Sequence, residues 1–232
     1  MPEELIYYGA KPEEAQQVYA EALELIVKGL TEPSLTFHGH YFHFDKVPME
    51  LKPFQHPHPP IWYGVHAPDS AARAARKGLR VISLDPVAAT CASFESFRTA
   101  WREAFVAAPL PLMGLGRFVV VAATDASALG LARRAYPRWH QSFTHLHRLH
   151  GRQTAHPRPP DFDGLAAVGQ GIAGSPSTVT AFLARELGET GANYCVGQFA
   201  FGDLSLAETL QSVELFAREV MPVLAMATPE SV

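Results

Sequence analysis

The chain has 232 residues, of which 47% are hydrophobic and 18% charged, and a formal net charge of -4. These values predict one globular domain over residues 1–232 and exclude a disordered chain, and a slightly acidic protein has no electrostatic attraction for nucleic acid. The sequence contains neither an apolar run of the ~20 residues that a membrane span needs nor a signal peptide, so it predicts a cytoplasmic protein without a membrane partner.

The N-terminal quarter predicts a helix followed by a hairpin. Apolar residues recur at the helical spacing over residues 12–30, and Pro12 suits the first turn. Residues 35–47 are rich in aromatic side chains around Gly39, a pattern typical of a small β-hairpin. The proline-rich residues 53–60 favour an extended approach to a strand.

Four short apolar runs are predicted to be buried strands, and a helical pattern follows each of them. They lie at residues 61–65, 79–84, 117–122 and 193–199. Helix start signals stand at Thr124 with Asp125, at Ser175 before Pro176, and at Ser205 in a capping box with Glu208. The last helix is expected to end near Val220. The alternation predicts parallel βαβ units, which carry functional groups at the carboxyl ends of their strands.

The first of these strands carries the clearest signal for a binding site. It ends near Gly64, which allows a ligand to approach the backbone closely, and a helix is predicted to start near Pro68. Free N–H groups over residues 67–70, together with the Ser70 hydroxyl, could bind a phosphate at the positive end of the helix dipole. The alternative is an ordinary strand-to-helix turn with a capped helix.

Other candidate ligand contacts follow the remaining strands. Asp85 comes directly after the second strand, and Ser175 stands at a second helix start that three glycines precede. Gln198, Phe199 and Phe201 end the last strand, where an amide could meet a cofactor or substrate and aromatic rings could line a pocket. The alternatives are that Ser175 is only a helix cap and that the two phenylalanines belong to the core.

The histidines and cysteines do not predict a metal site. Five histidines crowd one segment, at positions 140, 145, 147, 150 and 156, but their spacing does not place a ligand set on one helix face. A basic loop that carries a substrate-directed histidine and a plain surface segment both remain open. Cys91 and Cys195 are far apart and are predicted to be reduced core residues.

Four motifs, in this order along the chain, resemble the bacterial luciferase-like flavin-dependent monooxygenases. They are FHGHYFHF at residues 37–44, KPFQHPHPPIW at 52–62, AARKG at 74–78 and AGSP at 173–176. The resemblance implies an α/β fold: an incomplete (β/α)8 TIM-type barrel, in which this chain is the C-terminal half with about four parallel strands plus a small β-hairpin. The chain is expected to begin just after the family's fourth strand.

The resemblance also implies a function. Members use reduced FMN, supplied by a separate flavin reductase, and O2 to oxidise a small organic substrate; a related branch uses the deazaflavin F420 instead. It places the FMN phosphate at Val65, His66, Ala67 and Ser70, and the predicted cofactor site also includes Gly64 and Asp85, which stand at the ends of the first two strands. No catalytic residue is assigned, because the family's histidine nearest the oxygen chemistry lies in its N-terminal part. A non-catalytic flavin-binding or structural remnant remains the alternative, and a homodimer is expected to cover the open sheet edge.

Overall fold

The computed structural model describes residues 2–227, and the chain divides into two compact units between Pro60 and Ile61. We call them the N-terminal unit and the C-terminal unit. The prediction of a single domain stays a prediction. Among the described residues, no helix combines the length and the apolar character that crossing a lipid bilayer requires.

The N-terminal unit contains two helices and a hairpin. They are α1 (Pro2–Tyr7), α2 (Ala15–Thr31), β1 (Ser34–His38) and β2 (His43–Pro48). The hairpin is confirmed, and the helix begins at Ala15 rather than at residue 12. Glu21 of α2 holds the hairpin turn, because its carboxylate accepts the N–H groups of His40, Tyr41 and Phe42 at 2.7–2.9 Å. Burial opposes ionisation of Glu21, but these three donors bring its pKa below the usual range.

The C-terminal unit is built on a five-stranded parallel sheet. Its strands are β3 (Trp62–Gly64), β4 (Arg80–Ser83), β5 (Met113–Val121), β6 (Gly171–Gly174) and β7 (Tyr194–Gln198). β3 pairs with β4 and β4 with β5, while β6 and β7 both pair with β5. Among the described residues β3 and β7 each pair with one strand, so the sheet is open, as expected for part of a (β/α)8 barrel.

Nine helical segments accompany this sheet in the described part of the unit. They are α3 (Pro68–Arg76), α4 (Val87–Ala104), α5 (Asp125–Phe143), α6 (His145–Leu149), α7 (Phe162–Ala167), α8 (Pro176–Thr190), α9 (Leu206–Leu215), a π-helical turn (Phe216–Val220) and α10 (Met221–Ala227). The last helix therefore continues beyond Val220, where it was predicted to end.

The central strand β5 separates two apolar clusters. Phe118 and Val120 pack with residues of α5 and α7, whereas Val119 and Val121 pack with residues of α8 and the C-terminal helices. Such alternation is the period of a strand that is buried on both faces. One polar group interrupts it: Arg117, which is 2% exposed, donates to a carboxylate of α8.

The predicted helix starts have different outcomes. The Thr124 hydroxyl accepts the N–H of Ser127, and Ser205 and Glu208 form a complete capping box, as predicted. Ser175 precedes α8 as predicted, but its hydroxyl contacts the hydroxyls of Ser177 and Thr178 instead of a backbone N–H. The prediction that the Ser175 hydroxyl caps α8 is therefore wrong, because this hydroxyl forms hydrogen bonds with the two neighbouring hydroxyls instead.

Both cysteines are free thiols and half-buried. Burial raises the pKa of Cys195 to about 11, because an apolar environment disfavours the thiolate. A neutral thiol at this position is consistent with the predicted packing role.

Candidate functional site

A pocket of about 230 Å³ lies beyond the carboxyl ends of β3 and β4. Polar side chains from four segments line it: His66 after β3, Asp85 after β4, His156 and Arg158 from the loop before α7, and Gln170 before β6. The carboxyl ends of parallel strands are where α/β folds place ligand sites. Because polar groups from distant parts of the chain meet here, this pocket is the candidate functional site.

Pairing of β3 with β4 brings the first two polar residues together. Gly64, the last residue of β3, lies opposite Ile82, and beyond the two strand ends the chain reaches His66 and Asp85 within two residues. His66 Nδ1 lies 3.0 Å from Asp85 Oδ2 and 3.1 Å from Oδ1. The histidine side chain is 41% exposed and the carboxylate only 11%, so the carboxylate orients the ring from below.

Two buried hydroxyls fix the backbone of Asp85. Ser83 Oγ accepts the Asp85 N–H at 3.2 Å, and Thr90 Oγ1 donates to the Asp85 carbonyl at 3.1 Å. The two hydroxyls also contact each other at 2.8 Å. Since Ser83 and Thr90 are fully buried and satisfied, the carboxylate stands on a rigid support at the end of β4.

The loop before α7 supplies the opposite wall of the pocket. The ring of His156 stacks on the ring of His66, with centroids 3.9 Å apart and planes inclined by 16°. Two residues further on, the Arg158 guanidinium lies 5.9 Å above the centre of the Phe118 ring. The loop therefore contributes an imidazole and a permanent positive charge.

Helix α5 anchors this loop. The Tyr136 hydroxyl donates to the carbonyl of Pro159 at 3.1 Å, and His140 Nε2 donates to the carbonyl of Arg158 at 3.1 Å. Burial raises the pKa of Tyr136 to about 12, so its hydroxyl stays a proton donor at neutral pH. The two bonds hold the backbone immediately after the Arg158 side chain.

Arg158 is the main positive charge of the site. The side chain is half-buried, and burial lowers its pKa because the charged form loses hydration. The nearby negative charge of Asp85 raises the pKa and so opposes this effect. An arginine stays protonated across the physiological range despite such a shift. The pocket thus carries a fixed cation that a phosphate or carboxylate could neutralise.

The start of α3 adjoins the pocket at His66. Ala67 is the N-cap residue and Pro68 the first helical residue, so the N–H groups of Asp69 and Ser70 have no acceptor within the helix. A Cβ built on Gly64 would meet nothing within 4 Å, so the end of β3 is open to a ligand. The Ser70 hydroxyl donates to the Ala67 carbonyl at 2.8 Å, where it stabilises the first turn.

Val65 contributes no side chain to the pocket. Its side chain is 1% exposed in the core, and its N–H donates to the carbonyl of Ile82 at 2.9 Å. Val65 therefore holds the strand that presents Gly64 and His66, and a ligand could meet only its carbonyl.

The other sequence candidates lie away from the pocket lining. The Ser175 N–H donates to Asp125 Oδ1 at 2.6 Å, and this bond lowers the pKa of that carboxyl. Phe201 packs edge to face on Phe118 at 5.2 Å, and Phe199 packs on Phe216 at 5.0 Å. Both phenylalanines thus make the core contacts that the sequence had left as the alternative to a pocket wall.

Gln198 pairs through its backbone with Phe118, in the middle of β5. The pocket lining instead contains two polar residues that were not singled out from the sequence, Arg158 and Gln170. Gln170 is 5% exposed, and its amide donates to the carbonyl of Leu84 at 2.7 Å. An arginine between two prolines is the one local signal for Arg158, since such a backbone is stiff.

The sequence model of a family described as luciferase-like monooxygenase matches residues 2–194 of the chain. A relative from Sinorhizobium fredii, the protein y4wF, is 32% identical over 222 residues, which cover 95% of this chain and 65% of the relative. The chain thus spans about two thirds of the length of that relative.

Solved structures share the fold at low sequence identity. Monooxygenase RslO1 from Streptomyces bottropensis has a TM-score of 0.77 at 22% identity, with 96% of this chain and 65% of that chain covered. The oxygenating constituent of 3,6-diketocamphane monooxygenase from Pseudomonas putida, solved with FMN, has a TM-score of 0.70 at 20% identity, with 96% and 68% covered. The F420-dependent tetrahydromethanopterin reductase from Methanopyrus kandleri has a TM-score of 0.61 at 16% identity, with 92% and 64% covered.

Proposed function

The chain belongs to the luciferase-like monooxygenase family, and from that premise we propose that its pocket binds the phosphate end of reduced FMN. In this proposal the protein serves a flavin-dependent monooxygenase reaction in which O2 oxidises a small organic substrate. The Pseudomonas putida neighbour was solved in complex with FMN, and the Methanopyrus kandleri neighbour is F420-dependent. Flavin-type cofactors are therefore the class of ligand to test first.

One observation carries the proposal: Arg158 places a fixed positive charge in the pocket that adjoins the start of α3. A helix start offers unpaired N–H groups and the positive end of the dipole to an anion. The open space at Gly64 lets a bulky ligand reach the end of β3. Charge, donors and space therefore fit a phosphate ester.

The residues of the pocket divide the work of binding. The N–H groups of Asp69 and Ser70 would donate to phosphate oxygens, and Arg158 would neutralise their charge. Asp85 would hold the His66 ring in place. The hydrogen bond from His66 would also offset the repulsion between the Asp85 carboxylate and the phosphate. Reduced FMN, when bound, supplies the reaction with O2, and the protein supplies binding, orientation and exclusion of water.

The proposal includes three partners. A separate flavin reductase would deliver reduced FMN in the cytoplasm, the small organic substrate would enter beside the flavin, and a second copy of the chain would cover an open edge of the sheet. The deazaflavin F420 is the alternative cofactor. The pocket residues described above recognise a phosphate group, so they do not discriminate between the two cofactors.

A second candidate function is flavin binding without catalysis. The open sheet favours it, since β3 and β7 each pair with one strand among the described residues. Catalysis by a family member needs a flavin that is enclosed against water. A protein with these open edges could hold the phosphate and leave the isoalloxazine ring exposed.

Titration of the protein with FMN, followed by flavin fluorescence, tests binding. Saturable quenching at one flavin per chain is expected, and a fluorescence that stays unchanged over the titration would contradict the proposal. Oxidation of a long-chain aldehyde by O2 with photoreduced FMN then separates the two candidates, because free reduced FMN also consumes O2 but yields hydrogen peroxide. Formation of the carboxylic acid that depends on the protein supports the monooxygenase, whereas flavin binding without acid formation supports the non-catalytic protein.

A further inference from the structure

We propose that His66, Asp85 and His156 form a binding site for one divalent first-row transition metal ion, with Zn²⁺ as the probe. The three side chains come from the end of β3, the end of β4 and the loop before α7. One donor atom from each lies within 4.8 Å of the other two. Binding of the ion would require no flavin, because all of its ligands are side chains of the protein.

The donor set has the chemistry of a metal site. Two imidazoles and one carboxylate suit Zn²⁺ and its neighbours in the first transition row, and three protein ligands leave a coordination position for water. With metal–ligand bonds of about 2.0–2.2 Å, neighbouring donors in a tetrahedral site lie about 3.3–3.5 Å apart. His66 Nδ1 and Asp85 Oδ2, at 3.0 Å, are already close to that separation.

The same contact explains how a metal would enter. Without an ion, the short distance between His66 and Asp85 is a hydrogen bond, in which Nδ1 carries the proton. A bound cation would take the place of that proton, because an imidazole must be deprotonated at the nitrogen that coordinates. Each imidazole nitrogen that loses its proton on coordination would release that proton to the solvent.

The supports of the three ligands differ in stiffness. Asp85 is fixed by the buried hydroxyls of Ser83 and Thr90, and His66 follows a paired strand. His156 is exposed and lies on a loop, and its ring is stacked on His66. Coordination of one ion by all three residues therefore requires the His156 ring to turn so that one nitrogen faces the carboxylate.

Arg158 opposes a cation in this pocket. Its guanidinium lines the same space and interacts electrostatically with Asp85. Replacing Arg158 by methionine keeps an apolar stem over Phe118 and removes the charge. Arg158→Met should therefore strengthen Zn²⁺ binding, whereas the same change should weaken binding of a phosphate ester.

The test uses the full chain without a histidine tag, titrated with Co²⁺ and read from the visible absorption of the bound ion, with Zn²⁺ as competitor. One tight equivalent per chain is expected. His156→Ala should weaken Zn²⁺ binding by more than about 100-fold, because even the outer-shell partners of ligands are worth about 10–100-fold. His145→Ala is the matched control, since His145 is an exposed histidine on α6, away from the pocket lining.

The chain has 11 histidines, so adventitious binding is the main competing outcome. The proposal is overturned if no equivalent binds tightly, or if His145→Ala weakens binding as much as His156→Ala does. Circular dichroism of both variants checks the fold. Replacing these two exposed histidines, one on a helix surface and one on a loop, should leave the core intact. Since the titration contains no flavin, failure here is distinct from failure of FMN binding.

Discussion

The buried pair Arg117 and Glu186 should be a large determinant of the stability of the C-terminal unit. Their side chains are 0% and 1% exposed, and Arg117 Nε donates to Glu186 Oε2 at 2.6 Å. Arg117 also donates to the Gly116 carbonyl at 2.8 Å, while its Nη2 has no partner among the described residues. Glu186→Ala would leave this charge buried without its counter-ion, which costs about 3–5 kcal/mol.

Urea unfolding followed by tryptophan fluorescence measures this loss. All three tryptophans, at positions 62, 101 and 139, lie in the C-terminal unit, so the signal reports the unit that contains the pair. With a slope of about 3 kcal/mol per molar urea, the midpoint should fall by about 1–2 M. A fall below a few tenths of a molar would refute the reasoning.

Two further variants isolate the cause. Asp163→Ala breaks an exposed ion pair, in which Arg133 and Asp163 are 56% and 60% exposed, so it should cost no more than about 1 kcal/mol. Replacing both members of the buried pair, by Arg117→Met with Glu186→Leu, should restore most of the stability, because no buried charge remains. If the double variant is as unstable as Glu186→Ala, the loss of unfolding free energy comes from packing and not from the unpaired buried charge.

Two other changes test contacts of the last helices. Ser212→Ala removes the hydroxyl that accepts the buried N–H of Val121 at 2.8 Å. An unsatisfied buried donor costs about 1–3 kcal/mol, which urea unfolding should reveal, with faster amide exchange at Val121; no change in either quantity would argue against the contact. Glu208→Gln tests a pH effect, since hydrogen bonds from Arg134 and Ser205 lower the Glu208 pKa from 4.5 to about 2. The depressed pKa adds stability above pH 4.5 that is lost as the pH falls towards 2. The difference between wild type and variant should therefore shrink over that window, and a constant difference would contradict the assignment.

Much of the fold could be predicted from local patterns. The hairpin, the four predicted strands and the start of α3 at Pro68 follow from alternation, apolar runs and proline placement. The strand β6 was missed, because two of its four residues are glycine and the segment leads directly into a helix. It is a strand because β5 extends far enough to pair with it.

The candidate site could be predicted only in part. His66 and Asp85 follow strands, so their meeting in one pocket agrees with the sequence expectation that functional groups gather there. Arg158 and His156 reach the same place because Tyr136 and His140 tie their loop to α5. Those contacts span about twenty residues and involve backbone carbonyls, which leave no pattern in the sequence.

The preference of the protein for FMN over riboflavin tests the central claim most directly. The two flavins differ only in the phosphate, so the ratio of their dissociation constants isolates the contribution of the pocket. Charge-assisted hydrogen bonds are worth about 1.5–3 kcal/mol, so Arg158→Met should reduce this ratio by about 10–150-fold and leave the affinity for riboflavin unchanged. The exposed Arg148→Met on α6 is the matched control and should leave the ratio unchanged. Equal affinities for FMN and riboflavin in the wild type, or a ratio that Arg158→Met does not alter, would contradict the account.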